Sequence, residues 1–126
     1  MTDFVHLHMH SEYSISDGLL TMESISQLSD QRRLSALALT DKSNLFAFIK
    51  FYEISINAGI KPIAGIELRV EALVGDVKSE GRVILLAMNN SGYSRLIELA
   101  SLAYTESSRR EVLPEDTILS DCENLI

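Results

Sequence analysis

The chain has 126 residues, of which 46% are apolar and 23% charged, the balance of a soluble globular protein with one core. Its formal charge of −7 at pH 7 argues against a surface that wraps nucleic-acid backbones and favours basic partners or bound cations. No apolar run reaches the roughly 20 residues of a membrane-spanning helix, and the N-terminus does not read as a signal peptide. We therefore expect a cytoplasmic protein without a membrane partner. The single cysteine, Cys122, cannot form an internal disulfide and is expected to be a buried or half-buried structural residue.

Hydrophobic periodicity and turn residues predict alternating strands and helices, which is typical of an α/β fold. In chain order the pattern predicts a strand at 4–9, a helix at 21–33, a strand at 35–40, a helix at 44–59, strands at 60–70 and 82–88, a helix at 91–104, a short helix after Pro114 and the start of a fifth strand at 123–126. Because the last strand has only begun at Ile126, we expect this position to be a fragment boundary rather than a domain end.

The helix ends and buried faces are also predicted. Thr21 is the expected N-cap of the first helix, and Gly59 is the expected left-handed cap of the second. Residues at helical spacing are expected to face the core: Met22, Ile25 and Leu28 in the first helix, and Leu45, Phe48, Ile49, Tyr52 and Ile56 in the second.

Three histidines, His6, His8 and His10, alternate with apolar residues along the first predicted strand. Side chains two positions apart in a strand share a face, with Cα atoms about 6 to 7 Å apart. Imidazole is a common ligand for zinc, manganese and iron, so the row predicts a metal site. The alternative is a polar strand face with hydrogen-bonded core histidines, which is the commoner role of a single histidine.

Three carboxylates lie at or near predicted strand ends. Asp17 follows the first strand, Asp41 closes the second, and Glu67 lies in the third. In a parallel barrel, functional groups collect at the C-terminal ends of the strands, so these acids can converge with the histidines into a mixed nitrogen and oxygen site. Simpler roles remain open, since Asp17 before Gly18 suits a turn and Asp41 can cap the helix that follows it.

The segment Phe4-Val-His-Leu-His-Met-His-Ser-Glu-Tyr-Ser14, followed by Asp17-Gly18, resembles the opening of the PHP (polymerase and histidinol phosphatase) domain in bacterial DNA polymerase III alpha subunits. The resemblance covers residues 4–126. Further segments resemble this family in order and spacing: Leu39-Thr-Asp41, Asn44-Leu45, Lys50-Phe-Tyr52, Ala58-Gly-Ile-Lys-Pro62, Leu85-Leu-Ala-Met-Asn-Asn90 and Gly92-Tyr93.

The resemblance implies a fold and a ligand set. The fold is α/β, a distorted (βα)7 barrel of which 1–126 would form about the first four to five strand and helix units, the N-terminal portion of the domain. Active relatives bind up to three metal ions and hydrolyse phosphoesters. The resemblance assigns the ligands to His8, His10, Asp17 and a bridging Glu67, and it places His6, Asp41 and Lys42 behind these ligands.

Two positions depart from the pattern of active relatives. Lys42 stands where those proteins usually have histidine, and Arg82 stands where many of them have another histidine. A charged ammonium has no lone pair to offer a metal. The resemblance therefore implies a degenerate site, in which either cation can pair with Glu67 or Asp41 and replace the ion structurally.

For function, the resemblance implies the first segment of a replicative DNA polymerase whose palm, fingers and thumb lie outside these residues. The magnesium ions of nucleotide transfer would bind there, and no residue of this chain is catalytic. The expected cofactor here is a weakly held divalent ion, Zn, Mn or Mg. The implied partners are the proofreading exonuclease subunit, other holoenzyme subunits and, through other domains, DNA; an exposed sheet edge also favours self-association. Two alternatives are a free-standing phosphoesterase of the same superfamily and an interaction module without metal.

Overall fold

The structure is a computed structural model that describes residues 4–14, 18, 20–32, 34–105 and 111–126. Its elements are α1 (Met22–Arg32), β1 (Ala36–Leu39), α2 (Phe48–Asn57), β2 (Lys61–Val74), β3 (Val77–Leu86), α3 (Asn90–Thr105), β4 (Val112–Pro114) and α4 (Glu115–Leu119). This order confirms the α/β class. None of the helices in the described ranges has both the length and the apolar character that a bilayer-spanning segment requires.

A mixed sheet is built around β2, its longest strand. β1 pairs in parallel with the start of β2, from Ala36 opposite Lys61 to Leu39 opposite Ala64. β3 pairs antiparallel along the other edge of β2, and β4 adds a short parallel pairing on the β1 side. The sheet therefore surrounds the middle of β2 on both edges, and this is where Glu67 lies.

β2 and β3 form a long antiparallel hairpin that sequence reasoning did not predict. Gly75 and Asp76 connect the strands, and Gly75 has a φ of 66°, a left-handed conformation that glycine adopts readily. Both strands extend well beyond the predicted 60–70 and 82–88. The added residues include charged side chains that pair diagonally across the strands, such as Lys78 with Glu71, 3.1 Å apart.

The N-terminal segment runs beside β1 but does not form the predicted regular strand. Its ladder pairing is an isolated bridge between His6 and Leu37. His6 accepts a backbone hydrogen bond from Ala38, whereas Met9, three residues later, accepts one from Thr40, only two residues later. One extra residue is therefore accommodated in the segment, as in a bulge, and the expected strict alternation of faces is lost.

Two apolar clusters fill the space on the helix-covered parts of the sheet. One packs α1 and α2 against β1, and its fully buried side chains include the predicted Met22 and Ile25. The other packs α3 and α4 against β2 and β3 through residues that include Leu96, Leu99 and Ile118. Thr21 accepts a hydrogen bond from the backbone N–H of Ser24 at 3.3 Å, which confirms the predicted N-cap of α1.

α2 begins at Phe48, later than predicted, and the face that it buries only partly matches the predicted one. Phe51 and Ser55 are its buried residues, while Ile49, Tyr52 and Ile56 are exposed. The prediction was right for Leu45 and Phe48, which pack half-buried against the core, and wrong for the three exposed residues. The helix is apolar on two sides, so periodicity alone cannot choose between them. The predicted end was right, since Gly59 has a φ of 73°.

The C-terminal residues return to the sheet. Leu125 forms an antiparallel bridge with Ala87, which agrees with the predicted start of a strand. Cys122 is exposed, so the expectation that it would be buried or half-buried was wrong. It follows a short helix at the surface, and its Sγ donates a weak hydrogen bond to the carbonyl of Leu119 at 3.7 Å.

Candidate metal centre

Glu67 lies in the middle of β2 and is buried although it is charged. Its backbone N–H donates to the carbonyl of Asp41 at 3.0 Å, and its own carbonyl accepts from Ser43 at 2.9 Å. These bonds continue the parallel pairing beyond β1, with Lys42 directly opposite Glu67. The position of the carboxylate is therefore set by backbone pairing on both sides of β2.

His8 and His10 converge on this carboxylate. The Nε2 atom of His8 lies 3.3 Å from Glu67 Oε2, and His10 Nε2 contacts the same oxygen. The two imidazole rings meet edge to face, with centroids 5.0 Å apart. Side-chain exposure rises from 5% for Glu67 through 16% for His10 to 51% for His8, so the cluster opens to solvent at His8.

The electrostatics of the cluster keep Glu67 ionised. Burial by itself raises the pKa of its carboxyl group, but hydrogen bonds from His8 and His10 and their positive charge lower it, and the net pKa lies below the ordinary value. An ionised carboxylate is the form that binds a metal ion. A bound ion would replace the hydrogen bonds between the imidazoles and the carboxylate.

The three side chains have the geometry of a small metal site. One ligand atom from each of His8, His10 and Glu67 lies within 4.8 Å of the others. Two imidazole nitrogens and one carboxylate oxygen form a donor set that suits zinc or manganese and leaves a coordination position for water. These residues therefore fit a single divalent ion.

Arg82 faces the other side of the same carboxylate. Its Nη1 atom lies 3.7 Å from Glu67 Oε1, and its side chain is 65% exposed. Lys42, Arg69 and Arg82 also line, together with Glu67, a cavity of about 400 Å³ beside the cluster. The pairing of Arg82 with Glu67 is one of the pairings that the sequence analysis named for a degenerate site.

Asp41 lies near the cluster, but its carboxylate is hydrogen-bonded to two serines rather than to the histidines. Its carboxylate is buried and accepts hydrogen bonds from the backbone and hydroxyl of Ser11, both at 2.6 Å, and from the hydroxyl of Ser14 at 2.8 Å. It does not cap α2, which begins at Phe48. The two serines were missed by sequence reasoning, although their place directly after the histidines was a usable signal.

The remaining predicted site residues lie apart from the cluster or outside the described part of the chain. His6 packs edge to face against Phe4, with ring centroids 4.7 Å apart. Among the described residues, the side chains close enough together to hold one metal ion are those of His8, His10 and Glu67, and His6 is not one of them. Asp17 falls outside the described residues, so its predicted role as a ligand stays a prediction.

Comparison with known proteins identifies the family. Residues 6–126 match the family model of the PHP domain. DNA polymerase III subunit alpha of Borreliella burgdorferi is 41% identical over 110 residues, which cover 82% of this chain and 10% of that protein. The Pseudomonas aeruginosa subunit is 36% identical over 125 residues, covering 98% of this chain and 11% of that protein. The chain thus spans about a tenth of the length of these curated relatives.

A solved structure resembles the fold. It is a protein of Bifidobacterium adolescentis that carries the provisional name metal-dependent phosphoesterase, with a TM-score of 0.50 and 17% sequence identity. The match covers 79% of this chain and 34% of that one. At this identity the likeness concerns the fold alone. The family match over residues 6–126, together with polymerase subunits that align with most of the sequence, shows that the chain belongs to the PHP domain family.

Proposed function

We propose that the chain is the N-terminal PHP segment of a replicative DNA polymerase III alpha subunit. The observation that carries this proposal is the 32–41% identity to such subunits over most of the chain. In the parent protein, DNA-directed synthesis and its magnesium ions belong to the palm domain outside these residues. The segment serves as a scaffold that docks the proofreading exonuclease subunit within a cytoplasmic holoenzyme.

The length and the activity of the natural polypeptide that contains this chain can be measured to test the proposal. Antibodies against residues 111–126 should detect a protein about ten times as long as the chain, since the chain is 10–11% of its relatives. The immunopurified protein should extend a primed template, and the isolated 126-residue chain should not. A natural product close to 14.0 kDa without polymerase activity would contradict the proposal.

We further propose that His8, His10 and Glu67 hold one divalent ion, with Asp17 as an additional ligand. When bound, such an ion polarises phosphoryl groups and activates water. Glu67 contributes the negative charge, the two imidazoles contribute neutral donors, and Arg82 competes for the free oxygen of the carboxylate. The full three-ion centre of active relatives is not expected, because Lys42 brings a positive charge beside Glu67.

Elemental analysis of the purified chain tests the ion. After dialysis against chelator and reloading with zinc or manganese, we expect at most one ion per chain. Replacing His10 or Glu67 should abolish its retention, whereas His6→Ala, outside the cluster, should retain it as the matched control. Two or more ions held per chain after reloading and removal of free metal would show that the site is not degenerate.

The rival function is a free-standing metal-dependent phosphoesterase of the same superfamily. The chain shares its fold with the Bifidobacterium protein, and this likeness in fold is what favours the rival. Hydrolysis of a phosphomonoester by the immunopurified natural protein, abolished by Glu67→Gln, would support this rival. Primer extension by the same preparation distinguishes the two functions.

A further inference from the structure

Asp41 is a buried acid with no role in the ion binding proposed above. It is 2% exposed, and a carboxylate is costly to bury unless its oxygens are hydrogen-bonded. Both oxygens are: Oδ1 accepts from the Ser11 N–H at 2.6 Å and the Ser14 hydroxyl at 2.8 Å, and Oδ2 accepts from the Ser11 hydroxyl at 2.6 Å. The carboxylate therefore holds the loop that directly follows His10.

The backbone of the same residue holds the other half of the cluster. The carbonyl oxygen of Asp41 accepts the N–H of Glu67 at 3.0 Å. Asp41 is thus bonded through its side chain to the residue after His10 and through its main chain to the carboxylate-bearing residue of β2. It forms a direct link between the two chain segments that meet at the cluster.

The histidine segment needs such a link because its own strand pairing is irregular. Its ladder pairing is the bridge between His6 and Leu37, and an extra residue precedes Met9. Thr40 holds Met9 through its hydroxyl, which accepts the Met9 N–H at 2.9 Å. Two residues later, the Asp41 carboxylate holds Ser11 by accepting its backbone N–H and its hydroxyl.

The loop beyond Ser11 depends on the same carboxylate. The hydroxyl of Ser14 donates to Asp41 and also accepts the backbone N–H of Lys42 at 3.0 Å. The carbonyl of Ser14 accepts the N–H of Gly18 at 3.0 Å. Ser14 and Gly18 precede and follow the predicted ligand Asp17 in the sequence. The Asp41 carboxylate is therefore connected, through Ser14, to the chain on both sides of that position.

We infer that Asp41 is a positioning residue that fixes His10 against Glu67. The inference rests on the proposed function only in so far as this pair binds an ion. Positioning depends on hydrogen bonds rather than on charge. Asparagine preserves them, since its oxygen can accept two bonds and its amide can donate to the Ser11 hydroxyl. Alanine removes them all.

The test compares Asp41→Ala with Asp41→Asn in the metal-free chain. Nitrogen–proton NMR correlations of the imidazole rings, recorded at one neutral pH, report the contact of His10 with Glu67. In Asp41→Ala, the His10 signals should move toward those of Glu67→Gln, and in Asp41→Asn they should stay at the wild-type position. Unchanged His10 signals in a folded Asp41→Ala chain would overturn the inference. If that variant does not fold, Ser14→Ala, which removes one of the three bonds to the Asp41 carboxylate together with the bond from the Lys42 N–H, should shift the same signals less.

A zinc titration of the same proteins separates this inference from the proposed ion. Loss of groups that orient metal ligands typically weakens affinity about 10- to 100-fold. We expect a weakening in this range for Asp41→Ala and less than about threefold for Asp41→Asn. Equal affinity in all three proteins would overturn the positioning role at the ion. If the wild type binds no zinc, the proposed ion is wrong, and the ring signals alone decide whether Asp41 positions His10.

Discussion

Glu67 and Arg82 form an ion pair across neighbouring strands, with Nη1 of the arginine 3.7 Å from Oε1 of the carboxylate. The other oxygen of Glu67 is approached by His8 and His10. One buried carboxylate thus faces two imidazole nitrogens on one side and a permanent cation on the other. An ion bound here, as proposed above, would share the carboxylate with the arginine.

Lys42 lies opposite Glu67 in the strand pairing and lines the cavity beside it, so replacing Lys42 by histidine should strengthen metal binding. Two unit charges about 4 Å apart interact by about 4 kcal/mol at an effective dielectric near 20, and solvent screening leaves a fraction of this. We expect at least a tenfold gain in zinc affinity in the whole PHP domain, measured by competition with a chromogenic chelator. Arg82→Gln, at a more exposed cation, is the matched comparison and should give a smaller gain. Unchanged or weaker binding in Lys42→His would count against a charge-blocked site.

Glu67 should also make stability depend on acid. Its pKa is lower in the folded chain than the ordinary value of 4.5, so its contribution is fully present above about pH 4.5 and is lost as the pH falls through the lower folded value. Glu67→Gln lacks this contribution. Urea unfolding of both proteins should show a gap in free energy near neutral pH that narrows as the pH is lowered below 4.5. A gap that stays constant would mean that the carboxyl group has the same pKa in both states.

The buried face of α2 can be tested by paired truncations. Phe51 is fully buried, whereas Ile49 is 63% exposed. Phe51→Ala should destabilise the fold by about 3–5 kcal/mol, and Ile49→Ala should change stability by less than about 1 kcal/mol. Chemical denaturation measures both. Comparable losses in the two variants would indicate that the helix is rotated toward the face that periodicity predicted.

Gly65 lies where three elements approach one another closely. A Cβ atom there would lie 2.7 Å from side-chain carbons of Thr40 and Leu86 and 3.0 Å from the carbonyl oxygen of Leu85. Gly65→Ala should cost about 1–3 kcal/mol, since a packed site accommodates an added methyl group poorly. Gly81→Ala on the neighbouring strand, with no atom within 4 Å of the new Cβ, is the control and should be nearly neutral. Equal thermal melting of the two variants would contradict the packing.

Sequence patterns predicted the elements that carry local signals. β1, buried on both sides, was expected at 35–40 and lies at Ala36–Leu39, and α3 was expected at 91–104 and lies at Asn90–Thr105. The caps at Thr21 and Gly59 were also predicted, because a side-chain acceptor and a left-handed glycine are local features of the sequence. The outer residues of the β2–β3 hairpin did not have such a signal, because they are exposed or half-buried and include charges paired across the strands, so that no apolar alternation marks them.

The candidate site was predicted in its residue types but not in its supports. His8, His10 and Glu67 were named from strand spacing and family resemblance, and the structure brings them together. The contacts of Asp41 with Ser11 and Ser14 depend on a bulged segment whose register no periodicity encodes. Such polar supports are visible only once the path of the loop is known.

The contacts of the cluster differ greatly in sequence separation from those of the hairpin. His8 and Glu67 are 59 positions apart, while the innermost hairpin pair joins Val74 to Val77. Hairpins form within about 1–10 µs, whereas long-range contacts must first overcome the entropy of loop closure. An ion at the cluster therefore finds its ligands assembled only after the slow contacts have formed. Such an ion would stabilise only the fully folded chain. It would therefore slow unfolding and leave the rate of hairpin formation unchanged.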